Sequence, residues 1–318
     1  MNASGELLWQ RCYGGSQNDA VQDMYAWPDG SVVLVGSTRS TDGDVVGIHG
    51  SGIPQPYDSW VIKTNSSGEM IWQRCLGGSL DEDGMAVEVT PNGKIYVATK
   101  ATSPDGDVSQ QLGGSDYWIA RLDADGELEM EASFGGTSSD TPWRMAHTAN
   151  SELIVVGTSV STDGDVTGNN GGSDFWLIKL SPELDLLWEV SLGGSQPDLG
   201  WAVCWSDDGV VGLAGQSRSA DGDLTMNHGS ADYWIVKLEP EPVGIGPTHT
   251  NPFAIHPNPA TSTLHIVLNG FGAIELSVMD VAGRIVLQER LPQGSTTRDL
   301  PIAHLAQGLY DLRLIADD

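Results

Sequence analysis

The 318-residue chain carries 43 acidic against 15 basic residues, a formal charge of −28, and 40 Gly. So few Lys and Arg cannot displace the counterions of a phosphate backbone, so nucleic acid and anionic membranes are excluded as partners. Cations and neutral polar ligands such as glycans are favoured instead, and no apolar stretch of about 18 residues is present to span a bilayer.

The first element in chain order is GELLWQRCYGG, residues 5–15, which closely matches GEMIWQRCLGG at 68–78. Alternating apolar positions then predict strands over 20–28 and 31–38 around the Asp29-Gly30 turn, and over 59–64 and 69–76 around a turn at 66–68. The Gly pairs at Gly14, Gly77, Gly135 and Gly193 recur at intervals of 63, 58 and 58 residues, and Asp42, Asp105, Asp163 and Asp221 repeat those intervals. A period of this size signals a repeat architecture, and four strands per repeat is the content of one propeller blade.

The fourth copy stops after its third strand, at 233–238, whereas the others continue into a Trp-bearing outer strand. If 5–15 supplies that strand, the sheet edge is covered. The expected fold is therefore all-β: a four-bladed β-propeller over 1–240, closed by the N-terminal strand. The other account is that further copies precede Met1.

A Pro- and Gly-rich linker, 241–252, leads to a second domain, 253–318. Spacing by two in Leu264, Ile266, Leu268, then Ile274, Leu276, Val278, then Ile285, Leu287, and finally Tyr310, Leu312, Leu314 predicts a small Ig-like β-sandwich. No charged-then-apolar leader opens the chain at Met1. HPNPATSTL, MDVAGRIV and LAQGLYDLRL, in the order Pro-Asn-Pro, Asp-x-x-Gly-Arg, Leu-x-x-Gly-x-Tyr, resemble the C-terminal sorting domain of proteins exported by the type IX secretion system of Bacteroidetes. The resemblance implies a secreted or outer-membrane-surface protein whose partner in export is the type IX machinery. The Gly- and Asp-rich repeats are similar to propeller repeats that accompany this domain.

The recurrent chemistry is Asp-Gly-Asp. Asp42 and Asp44, Asp105 and Asp107, Asp163 and Asp165, Asp221 and Asp223 are followed by a third acid before the strand Trp: Asp58, Asp116, Asp174 and Asp232. Residues two apart on extended backbone face one way, so each loop can aim carboxylates at one Ca²⁺. The competing expectation is turn chemistry, with Asp capping its own backbone and Gly at positive φ. The third acid follows the second Asp by nine residues in three copies and by fourteen in the first, so 50–58 is the irregular loop and a place to look for a specific site.

Trp60, Trp118, Trp176 and Trp234 share one strand position, and Trp9, Trp72 and Trp188 another, which predicts packing between blades. Trp27, Trp143, Trp201 and Trp205 break the repeat; Trp27, Trp143 and Trp201, with Tyr57, are the candidate ligand contacts. Cys12, Cys75 and Cys204 are too few for a disulfide framework and are expected to be free, mostly packed thiols. The seven His form no zinc-ligand spacing, and no nucleophile elbow, phosphate loop or dinucleotide fingerprint occurs. The expected function is a secreted, non-enzymatic module binding a glycan or extracellular protein. The alternatives are a polysaccharide-active enzyme and a spacer in a larger adhesin.

Overall fold

The structure is a computed structural model that describes residues 5–206, 209–238, 253–256, 263–268, 274–280, 284–292, 297–303, 305 and 310–316. All its regular elements are strands, and the chain divides into two compact units, Met1–Glu241 and Pro242–Asp318.

In the first unit, each repeat folds into an antiparallel meander whose hairpin turns place Gly30, Gly68, Gly93, Gly126 and Gly209 at positive φ, with Ser151 and Leu184 in that place in the third sheet. The first sheet is β1 (Asp19–Ala26), β2 (Val32–Thr38), β3 (Asp58–Thr64) and β4 (Met70–Leu76), paired in that order. The second is β5 (Glu82–Val89), β6 (Ile95–Ala101), β7 (Asp116–Leu122) and β8 (Leu128–Phe134). The third is β9 (Asp140–His147), β10 (Leu153–Ser159), β11 (Asp174–Leu180) and β12 (Leu186–Leu192). The fourth has β13 (Asp198–Trp205), β14 (Val211–Ser217) and β15 (Asp232–Leu238), with β15 at its edge. A register shift recurs in the first strand of every sheet, between Val21 and Asp23, at Gly84/Ala86 and Gly200/Ala202, and opposite Val156/Gly157 in the third.

Consecutive sheets pack face to face and share apolar cores. Val35, Val61 and Leu76 of the first meet Val87, Val97 and Trp118 of the second. Tyr117 and Ile119 meet Val155, Trp176 and Ile178, and Ile154, Val156 and Leu177 meet Leu213 and Val236. Trp118 and Trp176 are fully buried, as their place in the repeat predicts. The middle sheets, covered on both faces, hold most of the large buried side chains.

The expected closure by residues 5–15 does not occur. Among the described residues this segment forms no strand and β15 pairs with β14 alone, so no sheet is closed into a ring. The segment is held by the first sheet instead: Trp9 Nε1 donates to Ser66 O at 3.1 Å and the Tyr13 hydroxyl to Gly68 O. Its likeness to 68–78 fixed its neighbour on one side but not its strand partner. The cysteines are also corrected: all three are free, but only Cys75 is buried, whereas Cys12 lies on the unpaired N-terminal segment and Cys204 on the outlying fourth sheet.

The second unit contains two three-stranded sheets. One is β16 (Phe253–His256), β17 (Thr263–Leu268) and β20 (Thr297–Pro301); the other is β19 (Ile285–Leu291), β18 (Ile274–Asp280) and β21 (Tyr310–Ala316). Ile266 and Leu300 of one share a core with Leu276, Val278 and Leu291 of the other. Strands β16 and β20 escaped the period-two reading because they are short and one carries Arg, Asp and Pro.

Burial sets the expected energetics. Trp176→Ala, which empties a fully enclosed site, should lower stability to denaturant by about 3–5 kcal/mol, whereas Trp201→Ala, at a half-exposed position, should cost under about 1 kcal/mol. Chemical denaturation of the two variants checks the contrast.

Candidate functional site

Both loop sets lie at one end of the first unit, and the repeated acids fasten them together. The amide of Gly14 donates to Asp44 Oδ2 at 3.1 Å while the Asp44 amide returns a bond to Gly14 O at 3.0 Å. The same reciprocal pair joins Gly77 with Asp107, Gly135 with Asp165 and Gly193 with Asp223. The first Asp of each triplet takes the next amide in the Gly-Gly loop: Ser16 onto Asp42, Ser79 onto Asp105, Thr137 onto Asp163, Ser195 onto Asp221.

The acid opening each inner strand completes the clamp. Asp140 Oδ2 accepts the Gly136 amide at 2.8 Å and the Ser161 hydroxyl at 2.9 Å, and Glu82 and Asp198 do the same with Gly78 and Ser103, and Gly194 and Ser219. Gly135 sits at φ +155 between Asp116 Oδ1 and Asp140 Oδ2, so any side chain there would strike a carboxylate. Glycine is required at that position by contact.

The third acids cap the turns ahead of them: Asp58 accepts the His49 amide, Asp116 those of Leu112 and Gly113, Asp174 that of Asn170 and Asp232 that of His228. The twelve acids singled out for Ca²⁺ are thus each placed beside backbone, and among the described residues no three His, Cys, Asp or Glu side chains gather as a metal site.

Two consequences for charge follow. Backbone amides hold the exposed Asp42, Asp163 and Asp221 below the usual carboxylate range. Burial, reinforced by the neighbouring Asp140 and Asp198, pushes Asp116 and Asp174 up to about 6, and each keeps one oxygen buried without a hydrogen-bond partner. At the corresponding place in the first sheet, Asp58 faces an imidazole: His49 Nδ1 lies 2.7 Å from its Oδ2 and Nε2 lies 3.8 Å from Asp107, and the hydrogen bond to Asp58 raises the His49 pKa.

The irregular loop at 50–58 forms a shallow cavity of about 230 Å³ with Arg39, Pro54, Gln55, Pro56, Leu80, Asp81 and Thr102. Gln55 Nε2 holds the loop by donating to His49 O at 2.9 Å. The Arg39 guanidinium lies 3.7 Å over the Tyr57 ring, is 3.8 Å from Asp81, and keeps Nε buried without a hydrogen-bond partner. Sequence reasoning named Tyr57 and the loop but missed Arg39, whose only signal was a lone cation ahead of an acidic loop.

The four candidate ligand aromatics do not converge. Trp27 is at the hairpin end of the first sheet, half-buried, with Tyr25 against its edge and Lys63 over its face. Trp143 and Trp201 occupy corresponding places on the neighbouring inner strands β9 and β13, with Trp201 42% exposed. Tyr57, at the loop-bearing end, has one face covered by Arg39.

Residues 254–318 match the family described as a secretion system C-terminal sorting domain. The C-terminal unit carries a type IX sorting domain. The protein is accordingly secreted or held at the cell surface, and no described helix is long and apolar enough to cross a membrane. The other likenesses are distant. The regulatory protein FlaEY of Caulobacter vibrioides is 28% identical over 167 residues, which are 50% of this chain and 18% of that protein. A protein of unknown function from Bacteroides caccae is similar with 11% identity and a TM-score of 0.31, over 61% of this chain and 69% of that one. PorZ, a surface component of the type IX secretion system of Porphyromonas gingivalis, is similar with 13% identity and a TM-score of 0.28, over 96% of this chain and 44% of its own.

The charge pattern sets a pH dependence. Asp116 and Asp174 bind protons more tightly folded than unfolded, so they add stability as pH falls through about 6. The depressed Asp42, Asp163 and Asp221 work the other way, with stability present above the unfolded carboxylate pKa and lost as pH falls through their folded values. Melting temperature should therefore rise from pH 7.5 to 5.5 and drop below about pH 4. Asp116→Asn should stabilise the protein at pH 7.5 by on the order of 1–3 kcal/mol and remove part of the rise, as measured by denaturation across pH.

Proposed function

We propose that the first unit is a non-enzymatic binding module built of propeller-type blades, which takes a glycan or extracellular protein at its loop-bearing end after export by the type IX system of a member of the Bacteroidetes. The observation that carries this reading is the cavity at the irregular loop, whose wall includes the partly exposed Arg39 guanidinium over Tyr57. A ligand oxygen accepting from the exposed part of that guanidinium would gain a charge-assisted hydrogen bond, which is stronger than a neutral one. The exposed Ile53 and Leu80 beside it add apolar contact.

A binding role is also supported by how the acids are spent. The recurrent carboxylates are tied to loop amides, which leaves them as scaffold for the loops, and rigidly held loops are where binding residues usually sit. We infer that these bonds, and not Ca²⁺, hold the loops in shape.

Two experiments test this. The intact chain, screened on an array of neutral and acidic glycans and against surface proteins, should give hits that Arg39→Ala weakens at least about tenfold with no change in melting temperature; hits that survive the substitution, or release of reducing ends from the same polysaccharides, would overturn the reading. Melting with excess Ca²⁺ and with chelator should give the same midpoint, and a rise of several degrees with Ca²⁺ would restore a metal role.

A further inference from the structure

The junction between the first two sheets repeats the backbone of the later junctions but not their side chains. Glu82 N donates to Tyr57 O at 2.7 Å, as Asp140 N does to Ser115 O at 2.6 Å and Asp198 N to Ser173 O. Arg39 N donates to Asn18 O at 3.1 Å, as Thr102 N does to Asp81 O at 3.2 Å and Val160 N to Ser139 O at 3.1 Å. These bonds align Tyr57 with Ser115 and Ser173, Arg39 with Thr102 and Val160, and Asp81 with Ser139 and Pro197. One frame thus carries an aromatic, a cation and a carboxylate at the first junction, and small or apolar side chains at the next two. In the fourth sheet Arg218 recurs without the aromatic, Ala231 standing in the place of Tyr57. The frame forms without the three side chains, so the backbone does not account for them.

The three lie together. The Arg39 guanidinium stands 3.7 Å over the Tyr57 ring, a cation–π contact, and the Tyr57 amide donates to Asp81 Oδ1 at 2.9 Å. The Thr102 hydroxyl donates to Asp81 O at 2.7 Å. Arg39 Nη2 is 3.8 Å from Asp81 Oδ1, an ion pair too wide for a hydrogen bond. The two side chains remain 25% and 54% exposed, and both line the cavity of about 230 Å³ together with Pro54, Pro56 and Leu80.

A ligand group seated between Arg39 and Asp81 has to accept from a guanidinium and donate to a carboxylate. A ligand carboxylate or sulfate does only the first and confronts Asp81, in a chain whose formal charge is −28. An ammonium does only the second and confronts Arg39. A hydroxyl does both. The cavity is smaller than the roughly 300–1,000 Å³ that encloses a drug-sized ligand, so it suits one ring of a longer molecule. A protein face, which needs about 800 Å² on each side, is served less well by so small a hollow.

Resting on the reading of the first unit as a binding module, we propose that its ligand is a neutral oligosaccharide, one hydroxyl of which accepts from Arg39 and donates to Asp81 while a C–H face of the ring lies on Pro54, Pro56 and Leu80. Asp81 is then the residue that sets specificity: it admits hydroxyls and rejects the anionic groups that Arg39 alone would attract. The bonds from Tyr57 to Asp81 and from Gln55 to His49 O hold the site in shape before binding, so little ordering accompanies it.

The test measures binding of the intact chain to neutral gluco-, manno- and galacto-oligosaccharides, to uronate-containing and sulfated oligosaccharides, and to surface proteins. Wild type, Arg39→Ala and Asp81→Asn are compared, each checked for unchanged melting temperature. Asp81→Asn keeps an oxygen for the Tyr57 amide but removes the charge. The wild type should bind the neutral set; Asp81→Asn should weaken that binding at least about tenfold and strengthen binding of the acidic set by a similar factor. A purely structural role of Asp81 would weaken both sets alike and would overturn the proposal. Ser139→Ala, at the corresponding place in the second junction, should leave neutral binding unchanged. Wild-type binding confined to acidic oligosaccharides or proteins and lost in Arg39→Ala, or neutral binding that Asp81→Asn retains, would overturn the neutral ligand while the binding-module reading stands. Binding of none of these probes, or binding that Arg39→Ala retains, would overturn both.

Discussion

The structure of the first unit depends on the bond between loop carboxylates and loop amides. Each Gly-Gly loop runs from one sheet to the next, or, at Gly14 and Gly15, into the first, and would otherwise leave its amides facing solvent or a neighbouring carbonyl. The second Asp of each triplet closes a two-bond ring with the first Gly, the first Asp takes the amide two residues on, and the inner-strand acid with its Ser takes the amide between them. Backbone polar groups that lose water need partners, and charged acceptors make the stronger bonds. The large negative charge of this chain is in good part the charge of these clamps.

With the loops fastened, successive sheets meet at a fixed spacing, and the aromatic contacts between them follow. The valine beyond each of the first three triplets, Val45, Val108 and Val166, is buried and ties the clamp to the apolar core below it. The same geometry forces like charges together at the junctions, where Asp116 lies near Asp140 and Asp174 near Asp198. The first sheet resolves that conflict differently: its longer loop brings His49 between Asp58 and Asp107. One longer loop thus supplies both an imidazole partner for these carboxylates and the wall of the cavity beside Arg39.

How much could be read in advance depends on whether the deciding contact is local. The hairpins were legible because Asp29-Gly30 and its counterparts set turn type within four residues, and the period-two pattern set which side chains face a neighbouring sheet. The export signal was legible for a similar reason, since three short motifs in a fixed order fall within the matched residues 254–318. The role of the Asp-Gly-Asp loops stayed open between metal and turn, because spacing shows that carboxylates can face one way but not which amides lie within reach 26 or 30 residues earlier.

Sequence alone therefore determined that this is an all-β chain of quadruplicated sheets with a sorting domain behind it, since turn chemistry and alternation are properties of neighbouring residues. Only the tertiary structure decided that residues 5–15 lie against the first sheet and that, among the described residues, they form no strand beside β15. A copied strand motif specifies what it packs on, but its pairing partner depends on contacts between segments far apart in the sequence, which no single segment encodes.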